Sequence, residues 1–126
     1  MNSYFYTKEH EWVSVDDDIA TLGITNYAQK QLGDIVFVEF PIKGTQYEQG
    51  SEIAVIESVK AASEIYTPIS GKVCDYNQEV EQQPGIVNSN PEDEGWLIKL
   101  SNVVTNELDS LMNETEYKSY INEIEG

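Results

Sequence analysis

Lys60 lies between two apolar stretches, Glu52 to Glu57 and Ala62 to Tyr66, in a connection, Ser58-Val59-Lys60-Ala61, that contains no Gly, Asn or Asp. Tight hairpins normally use those residues, because the favoured mirror-image turns need positive φ. Val59 and Lys60 resist positive φ, so the segment predicts a type I turn or one close to it. A turn that departs from local preference makes function a fair suspect for the lysine at its tip. Plain solvation is the ordinary fate of such a lysine, and three chemical roles compete with it. A Schiff-base nucleophile needs a neutral amine, which desolvation or a neighbouring cation supplies. Glu57 and Glu64 flank Lys60 in a chain of net charge −16, and both work against that role. The other two roles make Lys60 an acceptor that a separate enzyme acylates with lipoate or with biotin.

Other reactive side chains are sparse. His10 and Cys74 are the single histidine and cysteine, without the clustered spacing of a zinc site or the partner for an internal disulfide. Cys74 falls in an apparent strand, Gly71 to Tyr76, where a small buried thiol is expected. The charge comes from 23 acids against seven lysines, with no arginine. Without a guanidinium fork, and with a field that repels phosphate, binding to nucleic acid or an anionic membrane is disfavoured. The acidity predicts weak, salt-sensitive docking to basic partner faces.

The elements that must carry Lys60 are short. Glu11 to Val15 and Ile19 to Ile24 read as strands joined by a tight turn at Asp16-Asp17-Asp18. Thr25 is placed to cap a short helix, 26–32, that stops at Gly33. Asp34 to Phe40 is β-branched and aromatic, the strongest strand signal in the chain. Pro41 ends it and Lys43-Gly44 turns. The two strands around Lys60 follow, then Lys72 to Tyr76, a looser segment through Pro84-Gly85 and Asn88 to Gly95, and a last strand from Trp96 to Leu100. Many short strands with frequent turns predict a small barrel or sandwich. Beyond Thr105 the apolar period lengthens to three and four residues, through Leu108, Leu111, Met112, Tyr117, Tyr120 and Ile121. Asn113 with Glu116 makes a capping box, so two short C-terminal helices are expected within 105–125, packed on the barrel. At 126 residues, 40% of them hydrophobic, the chain suits one domain spanning 1–126. No apolar stretch approaches membrane-spanning length. The N-terminus shows no export signal. A cytoplasmic bacterial protein is the simplest expectation, or one of the mitochondrial matrix if a transit peptide has been removed.

The segment Glu57-Ser58-Val59-Lys60-Ala61-Ala62-Ser63-Glu64-Ile65-Tyr66-Thr67-Pro68-Ile69-Ser70-Gly71 resembles the lipoylation segment of the glycine cleavage H-protein family. His10-Glu11-Trp12-Val13, Gly23 to Gln29 and Leu32 to Val38 resemble its upstream blocks, and Pro84 to Asn88 and Gly95-Trp96 its downstream blocks. The resemblance runs in order from about Tyr6 to Leu100. Biotin carriers resemble the hairpin but place Met on both sides of the lysine, where this chain has Val59 and Ala61. Lipoyl domains of 2-oxoacid dehydrogenase complexes typically carry Asp before the lysine and lack the His-Glu-Trp block.

The resemblance implies a mainly β fold, a flattened barrel-sandwich hybrid of two small antiparallel sheets, and a carrier that is not itself an enzyme. Lipoate would be held covalently, as an amide on Lys60. Its implied partners are glycine decarboxylase (P-protein), aminomethyltransferase (T-protein), dihydrolipoamide dehydrogenase (L-protein), and a lipoate ligase or octanoyltransferase. The chain, implied to be a monomer, would carry the aminomethyl group of glycine and two electrons between these enzymes. Glu11 and Glu64 stand where the family places carboxylates against the loaded arm. Lys8-Glu9 departs from the Pro or Ser that relatives often carry, which bears on the pocket wall. His10 is expected to orient its loop by a hydrogen bond. Trp12 and Trp96 read as packing residues. A relay that hands lipoyl or octanoyl groups to other acceptors, and an unmodified scaffold, share the same hairpin.

Overall fold

The computed structural model describes residues 3–125. Among these, nine strands form two antiparallel sheets that enclose one apolar core. The larger sheet has the order β1-β2-β3-β9-β8-β5, with β1 at Tyr4–Tyr6, β2 at Glu11–Asp16, β3 at Ile19–Ile24, β5 at Gln46–Tyr47, β8 at Gly71–Tyr76 and β9 at Ile98–Ser101. The smaller has the order β4-β6-β7, with β4 at Ile35–Glu39, β6 at Glu52–Ser58 and β7 at Ala62–Tyr66. Facing side chains of the two sheets, such as Val13, Leu22 and Leu100 against Ile35, Val38 and Ile56, fill the space between. Burial of that surface is the main stabilising term. This is the expected mainly β, two-sheet fold, although neither sheet closes on itself.

The helix α1, Asn26–Leu32, forms where its signals stand. Thr25 Oγ accepts from the Ala28 amide at 3.2 Å, and Gly33 ends the helix at φ 80°. Two short helices in the looser segment, α2 at Gln78–Gln82 and α3 at Ile86–Ser89, have no visible sequence period because each is barely a turn long. Strands β1 and β5 were equally illegible at three and two residues. The last strand begins at Ile98 rather than Trp96, since Asn77 uses its side-chain amide to bind the Trp96 and Glu94 carbonyls and holds that segment as a loop.

Cys74 corrects one expectation: it is exposed. In β8, Gly71 and Val73 face the core, so period-two alternation turns Lys72 and Cys74 outward. A register shift between Val73 and Asp75 leaves Cys74 without a ladder partner, and its Sγ lies 3.4 Å from the Lys99 carbonyl of β9.

At the C-terminus a 3-10 helix, Thr105–Ser110, precedes α4, Glu114–Glu125. The capping box is complete. The Glu116 amide donates to Asn113 Oδ1 at 2.8 Å, and the Asn113 amide to Glu116 Oε1 at 2.9 Å. It sets α4 across the outer face of the larger sheet, with Tyr117 stacked on Tyr6 at 4.5 Å. Trp12 lies in the same cluster, and its Nε1 donates to the Pro91 carbonyl. Its cross-strand partner Gly23 leaves the room, because a Cβ there would stand 2.9 Å from Trp12 Nε1. Asn113→Ala is expected to cost about 1 kcal/mol, a fall in Tm of roughly 2–5 °C. An unchanged thermal unfolding curve would show that α4 is held by packing alone.

Candidate functional site

The lysine hairpin is turned by a serine. Ser58 Oγ accepts from the Lys60 amide at 3.1 Å and the Ala61 amide at 3.2 Å, while the Ser58 amide donates to the Ala61 carbonyl at 2.8 Å. Among the described residues, the non-glycine positions with positive φ are His10, Asp17 and Asn102, so the tip stays in the right-handed and extended regions, as its residues require. The hydroxyl supplies the local bonds that a turn-forming Asn or Asp would otherwise make. Past the end of the β4–β6 pairing, the Val59 amide donates to the Asp34 carbonyl at 2.9 Å.

Lys60 is exposed, but its stem is not free in space. It lies across Gly33, where a Cβ would stand 3.2 Å from Lys60 Cε and 3.8 Å from Nζ. Gly33 therefore serves twice: its positive φ closes α1, and its missing side chain makes a bed for the lysine.

Beside the hairpin runs a cleft of about 310 Å³ between β7 and α1. Ile24, Ala28, Leu32 and Ile65 make its apolar part, and Glu9, His10, Gln31, Ser63, Glu64 and Tyr66 its polar part. Leu32 and Ser63 are next in sequence to Gly33 and Ala62, and they mark the end of the cleft nearer the lysine hairpin. No lysine lines it. Burial holds His10 below its usual value, which keeps the imidazole neutral near pH 7. The cleft thus offers two exposed carboxylates, Glu9 and Glu64, and no compensating cation.

Of the acids singled out in the sequence, Glu64 lines this cleft and Glu11 does not. Glu11 is 1% exposed. Its Oε1 accepts from the Thr7 hydroxyl at 2.6 Å and its Oε2 from the Tyr66 amide at 3.1 Å. The Thr7 hydroxyl in turn accepts from the Glu11 amide at 3.1 Å. Far from a solvated surface acid, Glu11 ties the β1–β2 connection to the end of β7 behind the cleft wall. Glu9, which sequence reasoning marked only as a departure, is the acid of that connection that reaches the cleft. Whether a loop carboxylate points in or out depends on the left-handed turn at His10, φ 71°, and no composition rule reveals that.

His10 makes the hydrogen bond expected of it while also lining the cleft. Its Nδ1 lies 2.9 Å from the Tyr117 hydroxyl, which lies 2.7 Å from Thr25 Oγ1. Burial pushes the Tyr117 hydroxyl up to about 12, so it stays protonated. A consistent arrangement has Thr25 donating to Tyr117 and Tyr117 donating to His10. Among the described residues, no group of three His, Cys, Asp or Glu side chains is placed to hold a metal.

Burial pushes the Glu11 carboxyl up to about 7, against the lowering effect of its Thr7 and Tyr66 hydrogen bonds, and the nearby Glu9 charge adds to the rise. With a folded value above the unfolded one, the native state holds the extra proton. The stability this provides is full below about 4.5 and is lost as pH rises through about 7. Glu11→Gln imitates the protonated acid without titrating. The parent should lose on the order of 2–3 kcal/mol relative to this variant between acidic and mildly alkaline pH. Parallel denaturation midpoints across that range would contradict the assignment.

Three comparisons bear on identity. A family model described as "Glycine cleavage H-protein" matches residues 4–124. The glycine cleavage system H protein of Parvibaculum lavamentivorans is 51% identical over 125 residues, 99% of this chain and 100% of that protein. That of Xanthobacter autotrophicus is 53% identical, covering 96% of this chain and 97% of the relative. The crystal structure of a glycine cleavage system H protein from Mycobacterium marinum superposes with a TM-score of 0.86 at 28% identity, over 95% of this chain and 97% of that one. With the family model matching residues 4–124 and relatives about half identical to it over nearly their whole length, the protein belongs to the glycine cleavage H-protein family.

Proposed function

We propose that this chain is the lipoyl carrier of a glycine cleavage system, with lipoate held as an amide on Lys60. In this role it carries the aminomethyl group of glycine and a pair of electrons between glycine decarboxylase, aminomethyltransferase and dihydrolipoamide dehydrogenase. It acts as a single carrier unit, a monomer that performs no catalysis of its own. The observation that carries this reading is an exposed lysine on a serine-locked hairpin tip, its stem bedded on Gly33 beside a cleft walled by acids.

The residues present fit such a group. Acylation removes the charge of Lys60, so the bed at Gly33 then receives an uncharged stem. When bound, lipoate supplies the thiol–disulfide and group-carrying chemistry. The protein supplies position and shelter. Ile24, Ala28, Leu32 and Ile65 give an apolar lining that suits a hydrocarbon arm, and Glu64 and Glu9 stand where they can hold a cationic end and keep it from water. Glu11 acts from behind, keeping Tyr66 and the loop that bears Glu9 in place through its bonds to the Tyr66 amide and Thr7. The net charge of −16 suits transient docking to basic faces, so that one carrier serves several enzymes in turn.

The test is the intact mass after incubation with a lipoate ligase, ATP and lipoate, beside a Lys60→Arg control. One lipoyl group on the parent and none on the control is the expected result; no addition to folded parent protein would remove the reading. Acceptance of the aminomethyl group from glycine decarboxylase then separates the carrier from a relay that only passes lipoyl groups on. In the loaded form, Glu64→Ala is expected to shorten the lifetime by about two- to fivefold, the worth of one exposed ion pair. An unchanged lifetime would take Glu64 out of the site.

A further inference from the structure

Asn88 is used by nothing in the mechanism above, yet its carboxamide is satisfied on both sides. Oδ1 accepts from the Ile35 amide at 2.9 Å, and Nδ2 donates to the Gly33 carbonyl at 2.9 Å and to Gln29 Oε1 at 3.0 Å. The side chain comes from α3, which is anchored in the core by the fully buried Val87. Its three bonds grip the junction where α1 ends and β4 begins.

That junction is the part of the fold the lysine tip rests on. Gly33 is the bed under the Lys60 stem, Asp34 receives the Val59 amide, and Ile35 pairs with Ser58. Gly33-Asp34-Ile35 is held at its ends, by the Gly33 amide on the Gln29 carbonyl and by buried Ile35, but it is a helix stop at positive φ and the β4–β6 pairing shifts register just beyond it. Ordering a segment of this kind costs conformational entropy that local bonds must offset. The geometry requires an acceptor and two donors on one short planar group, which a carboxamide supplies and neither Asp nor Ser does. An aspartate would set negative charge against the Gly33 carbonyl and Gln29 Oε1.

We infer that Asn88 is the positioning residue of the lipoyl-lysine hairpin: by clamping Gly33 to Ile35 it fixes the platform that holds Val59 and Lys60 ready for the acylating enzyme. This rests on Lys60 being the acceptor. Without the clamp the tip samples other arrangements, and an enzyme that must thread Lys60 into its active site has to order the tip as it binds. The loss then falls on KM for the carrier protein rather than on kcat, because the gripped tip is the same in both cases.

The experiment compares the parent with Asn88→Ala, Asn88→Asp and Gly33→Ala, the last crowding the bed and straining the positive-φ platform that Asn88 grips. Amide hydrogen exchange is read at Val59 and at the core residues Leu22 and Leu100, and lipoate ligase kinetics are measured with each protein as the acceptor. Both Asn88 variants should exchange Val59 about tenfold faster with Leu22 and Leu100 unaltered, and should raise KM about tenfold with kcat within about twofold. Gly33→Ala should raise KM as well. Unchanged Val59 exchange and KM in Asn88→Ala would overturn the inference, as would a uniform rise in exchange that includes Leu22 and Leu100, the mark of a merely structural role. Lipoyl addition to neither the parent nor any variant overturns the carrier reading instead. Val59 exchange then decides the clamp alone: faster exchange keeps Asn88 as the residue that orders the tip, and unchanged exchange removes it.

Discussion

The Val59 amide meets the Asp34 carbonyl 2.9 Å away, and through that bond the lysine-bearing turn is fastened to the rest of the molecule. A four-residue connection without Gly, Asn or Asp has little preference for turning, so its order has to come from outside the turn or from side chains within it. Here both sources operate. Ser58 folds its hydroxyl back over the Lys60 and Ala61 amides, and the β4 side offers Asp34 as an anchor and Gly33 as a bed. In the proposed carrier role the lysine gains from standing on such a tip, since an arm attached there can be long and mobile while its base is not.

Around this tip the charge distribution follows the same logic. The exposed carboxylates Glu9 and Glu64 share a cleft with a neutral imidazole and no lysine, which leaves the cleft a place for positive charge. Glu11 is the exception, buried at 1% exposure and held in hydrogen bonds between the two sheets. A buried carboxyl is costly as an ion, and its position between a loop of the larger sheet and a strand of the smaller makes the cleft wall sensitive to its protonation. The hydrogen-bond chain His10–Tyr117–Thr25 braces the opposite side of the same loop from α4. The loop carrying Glu9 is therefore fixed from the core, from α4 and from the N-cap of α1.

Several elements were legible in the residues because their determinants are local. Thr25 and Gly33 bound α1, the β-branched and aromatic run marked β4, and Asn113 with Glu116 marked the start of α4, each through contacts within a few residues. Strands of two or three residues and helices of one turn left no period to read, and β1, β5, α2 and α3 exist only because neighbours pair with them or cap them. Cys74 was misplaced for a related reason: strand membership was readable, but which face looked inward was set by Gly71 and Val73 packing under β9.

For the site, the sequence by itself determined the candidate lysine, its odd turn and the acid-rich surroundings, because residue type and near neighbours suffice to define them. Only the tertiary structure decided which acids face the cleft. It buried Glu11 on the Tyr66 amide and turned Glu9 and Glu64 to the opening. It also decided that Gly33 lies under Lys60 and that Asn88 binds Gly33 and Ile35 from more than fifty residues away. Those relations join segments far apart in the chain, and sequence patterning carries no term for them. They arise only when two sheets close on a shared core and bring a helix end, a loop and a hairpin tip to the same edge.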